Sequence, residues 1–319
     1  MNLFFRFIID ALAFGATFMY GSTGEIITEK AGHLNLGIPG VMCMGGAGGC
    51  IMLNLIGKSS LPHFLIILLG ILSSFAFAAL TGLIYSFMTV TLRANQNVTG
   101  LTLTTFGVGL MKVLMAGLDA TVYLNRPKKY FRFPFAARTD ELQKLGVMFF
   151  LAIAVALLAS WVLYRTRVGL NLRAVGESPA TADAAGINVT RYKYLATCIG
   201  SGIAGLGGFY YIIDYMGSHE AYKSIEAFGW LSVALVIFVL WKPHMTIPGA
   251  TVFGCLFSCG AYLVHIKELP FFATMAAKPL LQMVPYVVTI LVLVLTSVRN
   301  RRENQPPAAL GLSYFREER

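Results

Sequence analysis

Charge is scarce in this chain. Only 13% of its 319 residues are Asp, Glu, Lys or Arg, too few to cover the surface of a soluble domain of that length. Acidic residues are scarcer than basic ones, 15 against 25, and no run of Asp, Glu or His crosses an apolar stretch. That argues against a proton-driven secondary transporter, although Na⁺ held by carbonyls would leave no such mark. The five cysteines, Cys43, Cys50, Cys198, Cys255 and Cys259, all fall in apolar runs. Cys255 and Cys259 share a helix face, but no second ligand pair accompanies them, so neither a disulfide framework nor a metal site is expected. His-Glu-x-x-His and Gly-x-Ser-x-Gly are both missing, and His33, His63, His219, His244 and His265 are scattered near segment ends. Gly57-Lys58-Ser59 imitates the end of a nucleotide-binding loop, but Met52 stands where that motif needs its first glycine. No catalytic residue is assigned, and the chain is not expected to hydrolyse ATP.

Apolar residues fill the gap: 56% of the chain is hydrophobic, mean hydropathy is +0.69, and 32 residues are glycine. This composition predicts an all-α polytopic membrane protein with closely packed helices. At roughly 20 residues per crossing, nine segments emerge: Phe4–Gly21, Leu36–Gly57, Phe64–Leu92, Val98–Leu118, Leu145–Tyr164, Tyr194–Ile213, Ala227–Trp241, Thr246–Ile266 and Leu281–Val298. The start, Met1–Phe7, lacks a basic region and a cleavage site, so its apolar run reads as a retained helix. The net charge of +10 lies between apolar runs, which suits anionic lipid headgroups and not nucleic acid. Lys and Arg divide almost evenly between the two faces, so charge alone does not orient the protein.

Four polar or small-residue features interrupt the apolar pattern. Between Arg165 and Lys193 runs a loop of mixed charge containing Ser178-Pro179-Ala180-Thr181-Ala182-Asp183-Ala184-Ala185-Gly186. Ser178 suits a helix cap, Pro179 the first helical position and Gly186 the stop, predicting a two-turn helix with a small Ala180/Ala184 face. Glu25–Gly40 is polar and flanked by apolar segments; Asn35 and its neighbours would there either line a solute passage or form a surface turn. Glycine clusters occur at 45–49 and 200–208, with Gly200, Ala204 and Gly208 on one helix stripe. Asp119–Lys144 mixes Arg and Lys with Tyr and Phe, a composition fit for a protein interface or for lipid headgroups. Asp10 and Lys112 are the main charges inside apolar segments, with Asp119 at an edge.

Three stretches resemble one family, the permease subunits of ABC importers of the ribose, branched-chain amino acid and nucleoside group. They are Glu29–Gly37, Arg93–Gly100, and Gly169–Pro179 with its continuation through Val189. Pro39 stands where nucleoside-type members usually carry Glu. The resemblance implies a transmembrane permease domain over 1–298, with a cytoplasmic coupling loop at 165–193, and a cytoplasmic tail over 299–319. It implies ABC ATPase partners supplying ATP and Mg, an extracytoplasmic solute-binding protein, and a second permease copy or related permease. A multi-pass place in a bacterial plasma or inner membrane follows, with a nucleoside or simple sugar as the preferred solute. Arg173, Glu177, Ser178, Pro179, Ala180, Asp183, Ala184 and Gly186 would couple to the ATPase. Asn35, Gly37, Asn97 and Thr99 are candidates for the translocation path. The rivals are a transporter or facilitator acting without ATP and a membrane-embedded enzyme.

Overall fold

A computed structural model describes residues 3–125, 145–263, 277–299 and 305–315. The described residues form helices joined by turns, with no strand among them. In order they are α1 (Leu3–Glu29), α2 (Ile38–Ile56), α3 (His63–Ser86, continued by a π turn to Thr91), α4 (Gln96–Ala116), α5 (Ala120–Asn125) and α6 (Val147–Arg165). There follow α7 (Arg167–Glu177), α8 (Pro179–Ala184), α9 (Val189–Tyr210, continued by a π turn to Met216), α10 (Ile225–Phe238), α11 (Thr246–Leu263) and α12 (Ala277–Arg299).

Each of the nine expected segments coincides with a helix, but nine crossings are not established. Seven helical stretches among the described residues are long and apolar enough to cross a membrane, ending with His219–Phe238. Of the remaining two, α11 is described only to Leu263 and α12 only from Ala277. Helix α1 outruns its expected apolar segment by eight residues, reaching Glu29 instead of Gly21. The extension is possible because its polar groups bury against protein and return bonds to their own helix, Ser22 Oγ to Phe18 O at 2.6 Å and Thr28 Oγ1 to Gly24 O at 3.2 Å.

Two helices make the centre. The apolar windows of α9 and α2 are 83% and 78% buried, against 28% for α3 and 33% for α6, so the latter two turn much of their apolar surface outward. Glycine explains the central approach. A Cβ on Gly45 of α2 would strike the backbone of Gly205 on α9, so the two helices meet backbone to backbone. The Gly200–Ala204–Gly208 stripe is real, but it serves two neighbours: Gly200 and Ala204 lie against Gly24 of α1, and Gly208 against Met42 of α2.

At one end of the bundle, aromatic rings from four elements interlock. Phe14 of α1 stacks on Phe257 of α11 at 4.7 Å and meets Phe228 of α10 edge-on at 5.1 Å, while Tyr211 meets Phe228 at 4.8 Å. Such ring pairs stabilise by about 0.5–1.5 kcal/mol each beyond burial.

Candidate functional site

The mixed-charge loop folds into two short helices. Thr166 caps α7, its Oγ1 accepting the Gly169 N–H at 3.1 Å. α7 then buries Leu172 and Val175. At its end Ser178 both stops α7 and caps α8, accepting the Thr181 N–H at 3.4 Å. Pro179 occupies the first turn of α8. The stop is a paired-bond glycine cap: Ile187 N–H reaches Ala182 O at 3.0 Å, Gly186 N–H reaches Asp183 O at 3.0 Å, and Gly186 takes φ +82°. Ala182 faces a small core with Val175 and Val189, while Ala180 and Ala184 face outward. The two-turn helix with a bare alanine face stands where the residue pattern put it.

The charged residues of this element are held by the protein itself. Arg173 lies over the Tyr164 ring at 5.1 Å. The Glu177 carboxylate accepts the Ala308 N–H at 3.3 Å, and Asp183 accepts the Tyr314 hydroxyl at 3.0 Å. Both donors belong to residues 305–315, which cross back over this end of the bundle as a strap. Ala309 N–H bonds Gly176 O at 3.0 Å and Gly311 N–H bonds Gly32 O at 3.2 Å. Gln96 of α4 donates to Leu312 O at 3.3 Å, and Arg93 stacks over Phe315 at 4.9 Å. The strap therefore joins α7, α8, the α1–α2 turn and the α3–α4 turn.

The α1–α2 turn is buried and tied on every side. Tyr85 donates to Leu34 O at 2.7 Å, Leu34 N–H donates to Gln96 Oε1 at 2.8 Å, and Thr104 donates to Leu36 O at 2.9 Å. Asn35 is fully buried and accepts the Gly37 N–H at 2.9 Å. Asn97 and Thr99 lie instead in the first turn of α4, where Asn95 caps Asn97 N–H at 3.0 Å and Thr99 Oγ1 donates to Asn95 O at 2.8 Å. The four candidate path residues thus share one region, Asn35 and Gly37 inside and Asn97 on the exposed side, and none of them lines the cavity of about 750 Å³ that opens at this end of the bundle between α8 and the start of α9.

Two acids of the polar Glu25–Gly40 stretch were given no site role by the sequence. Glu25 and Glu29, one helical turn apart near the end of α1, are both buried. Glu25 accepts the Asn35 N–H at 3.1 Å, and Glu29 accepts the Trp241 indole N–H. Glu25 Oε2 and Asn35 Nδ2 are buried without a hydrogen-bond partner among the described residues. The i, i+4 spacing just before a polar turn was the available signal. Beside them His33 donates or accepts at Thr197 Oγ1, 2.9 Å away. Burial, with the Lys193 charge as a lesser cause, pushes its imidazole well below the ordinary value, so it is neutral at pH 7. Lys30 is also lowered by burial, an effect that Glu177 opposes.

The other charged candidates sit apart. Asp10 accepts the Tyr262 hydroxyl, and Lys112 is exposed on α4. Asp119 caps α5, accepting Thr121 N–H at 2.9 Å and Thr121 O–H at 2.6 Å, bonds that hold its carboxyl below the usual range. Most of the basic–aromatic segment that follows, residues 126–144, lies outside the described residues.

A bundle of long apolar helices, with one end carrying a capped accessory helix strapped to the core, is the architecture of a multi-pass membrane protein. Comparison with known proteins fixes the family. The family model described as "Branched-chain amino acid transport system / permease component" matches residues 7–293, and the chain belongs to it as a multi-pass cell-membrane protein. Among curated relatives, a Haloferax volcanii protein with the provisional name of a glucose ABC transporter permease is 32% identical, covering 97% of this chain and 98% of that one. The nucleoside ABC transporter permease NupC of Lactococcus lactis is 32% identical over 90% of this chain and 91% of its own length. The guanosine ABC transporter permease NupQ of Bacillus subtilis is 28% identical over 97% and 96%.

Proposed function

We propose that the chain is the permease subunit of a binding-protein-dependent ABC importer for a nucleoside or a simple sugar. It forms the path, while ABC ATPase subunits bind ATP and Mg and hydrolyse the nucleotide. A second permease, identical or related, completes the pair, and a solute-binding protein delivers the solute from outside. The relatives' solutes support the choice, since two are permeases named for nucleosides and one is named for glucose.

The observation that carries the mechanism is α8. Its outward alanines give a smooth contact for a partner's groove, and its inner side and ends are bonded into the bundle. ATPase closure would push this helix and, through the strap, the α1–α2 and α3–α4 turns as one body. The reading places this end of the bundle in the cytoplasm.

The test is a pair of substitutions, Ala180→Glu with Ala184→Arg, assayed with the ATPase in proteoliposomes. Both positions are exposed, so insertion and thermal stability should stay within about 0.5 kcal/mol. Solute uptake and solute-stimulated ATPase activity should fall about tenfold or more, because the partner's groove would have to accommodate two bulky side chains and strip water from their charges. Wild-type coupling in this variant, or solute flux by the chain alone without ATP, would overturn the proposal.

A further inference from the structure

A cavity of about 750 Å³ opens at the same end of the bundle, walled by the start of α9, the loop after α8, the π turn after α3 and the strap. Its lining is rich in cations. Lys193 is only 3% exposed, yet its ammonium makes no ion pair or hydrogen bond among the described residues. Arg191 and Arg93 line the same space, both exposed and neither ion-paired among the described residues. The one carboxylate on the wall, Asp183, already accepts the Tyr314 hydroxyl. A lysine so nearly buried without a counterion is costly, and three cations lining one space against a single carboxylate favour an anionic occupant. The N-terminal turn of α9 opens into the cavity too and adds its partial positive charge.

The cavity also has an apolar shoulder. Leu195, half-exposed beside Lys193, lies within the crossing Val189–Met216, and Val90 lies at the end of the crossing His63–Thr91. An ionic wall next to an apolar one at a helix-bundle edge fits a phosphate that carries acyl chains.

We propose that this cavity is a binding site for a phosphate-bearing anion, with Lys193, Arg191 and Arg93 as its ligands. The phosphate comes either from an anionic phospholipid headgroup or from free phosphate in solution. The site lies between α8 and the strap, so its occupant would brace the element that the partner grips. The assignment does not depend on which solute the chain transports.

The test is native mass spectrometry of the full chain released from nanodiscs, combined with binding of radiolabelled inorganic phosphate in detergent. Three preparations are compared: wild type, Arg93→Gln/Arg191→Gln at the exposed cations, and Lys193→Gln. Nanodiscs contain phosphatidylcholine with or without phosphatidylglycerol. A lipid source predicts that the wild type retains phosphatidylglycerol over phosphatidylcholine, with retention falling about fivefold for each cation removed. A free-phosphate source predicts saturable inorganic phosphate binding with the same loss in the variants and no lipid preference. If the double variant, which leaves the buried lysine in place, keeps wild-type retention and wild-type phosphate binding, the site is refuted. Equal retention of both lipids with no phosphate binding by the wild type would refute it as well.

Discussion

The two ends of the helix bundle are held by different forces. Around Phe14, rings from α1, the π turn after α9, α10 and α11 interlock through apolar contact. Around the α1–α2 turn, cohesion comes from hydrogen bonds to backbone carbonyls and amides, with Tyr85, Gln96, Thr104 and the strap as donors or acceptors. Apolar packing is non-directional and tolerates small sliding, whereas hydrogen bonds fix distance and angle. The aromatic end therefore supplies stability, and the bonded end supplies stiffness where a force would enter.

Three substitutions or conditions sharpen this contrast, beginning with the largest effect. Phe228→Ala removes the ring that touches Phe14, Phe18, Tyr211 and Phe257. It should cost about 3–5 kcal/mol, read as a lower thermal midpoint, with transport lost only in proportion to folded protein. Acid should act at the other end. The unfolded chain protonates His33 near pH 6.5, while the folded chain resists because its imidazole is depressed by burial. The contribution of His33 is thus fully present above pH 6.5 and is lost below it, by at most about 1.4 kcal/mol per pH unit until the folded-state value is reached. His33→Asn should flatten the midpoint's decline between pH 6.5 and 5.5, and an unchanged slope would show that other groups dominate. Tyr314→Phe removes one bond from the strap to Asp183 and should cost about 1 kcal/mol. Its effect on solute-stimulated ATPase activity should exceed what that loss of stability explains; a matching loss would mean that the strap only stabilises.

Much of the accessory helix was legible in the residues. Ser178, Pro179 and Gly186 each have one favoured place at a helix end, and all three occupy it. The preceding helix α7 was not read, because Arg167–Glu177 alternates charge and apolar side chains within a stretch short enough to pass for loop. The length of α1 was missed for a related reason: Ser22, Glu25 and Glu29 look like an exit from the membrane, while in the fold they turn toward protein. The strap left almost no trace in the sequence. Ala309 and Gly311 bond through their backbone amides, groups that nearly every residue carries. The basic cavity was hidden as well, since Arg93 and Lys193 are brought together by the packing of segments distant in sequence.

Consider finally the backbone pairings of Ala309 with Gly176 and of Gly311 with Gly32. Like a stitch through two layers of cloth, they make the last part of the chain a fastener for its first turn. A ribosome makes every described helix before Ala309 and Gly311, so a nascent chain would carry an unclasped accessory helix until those two residues arrive.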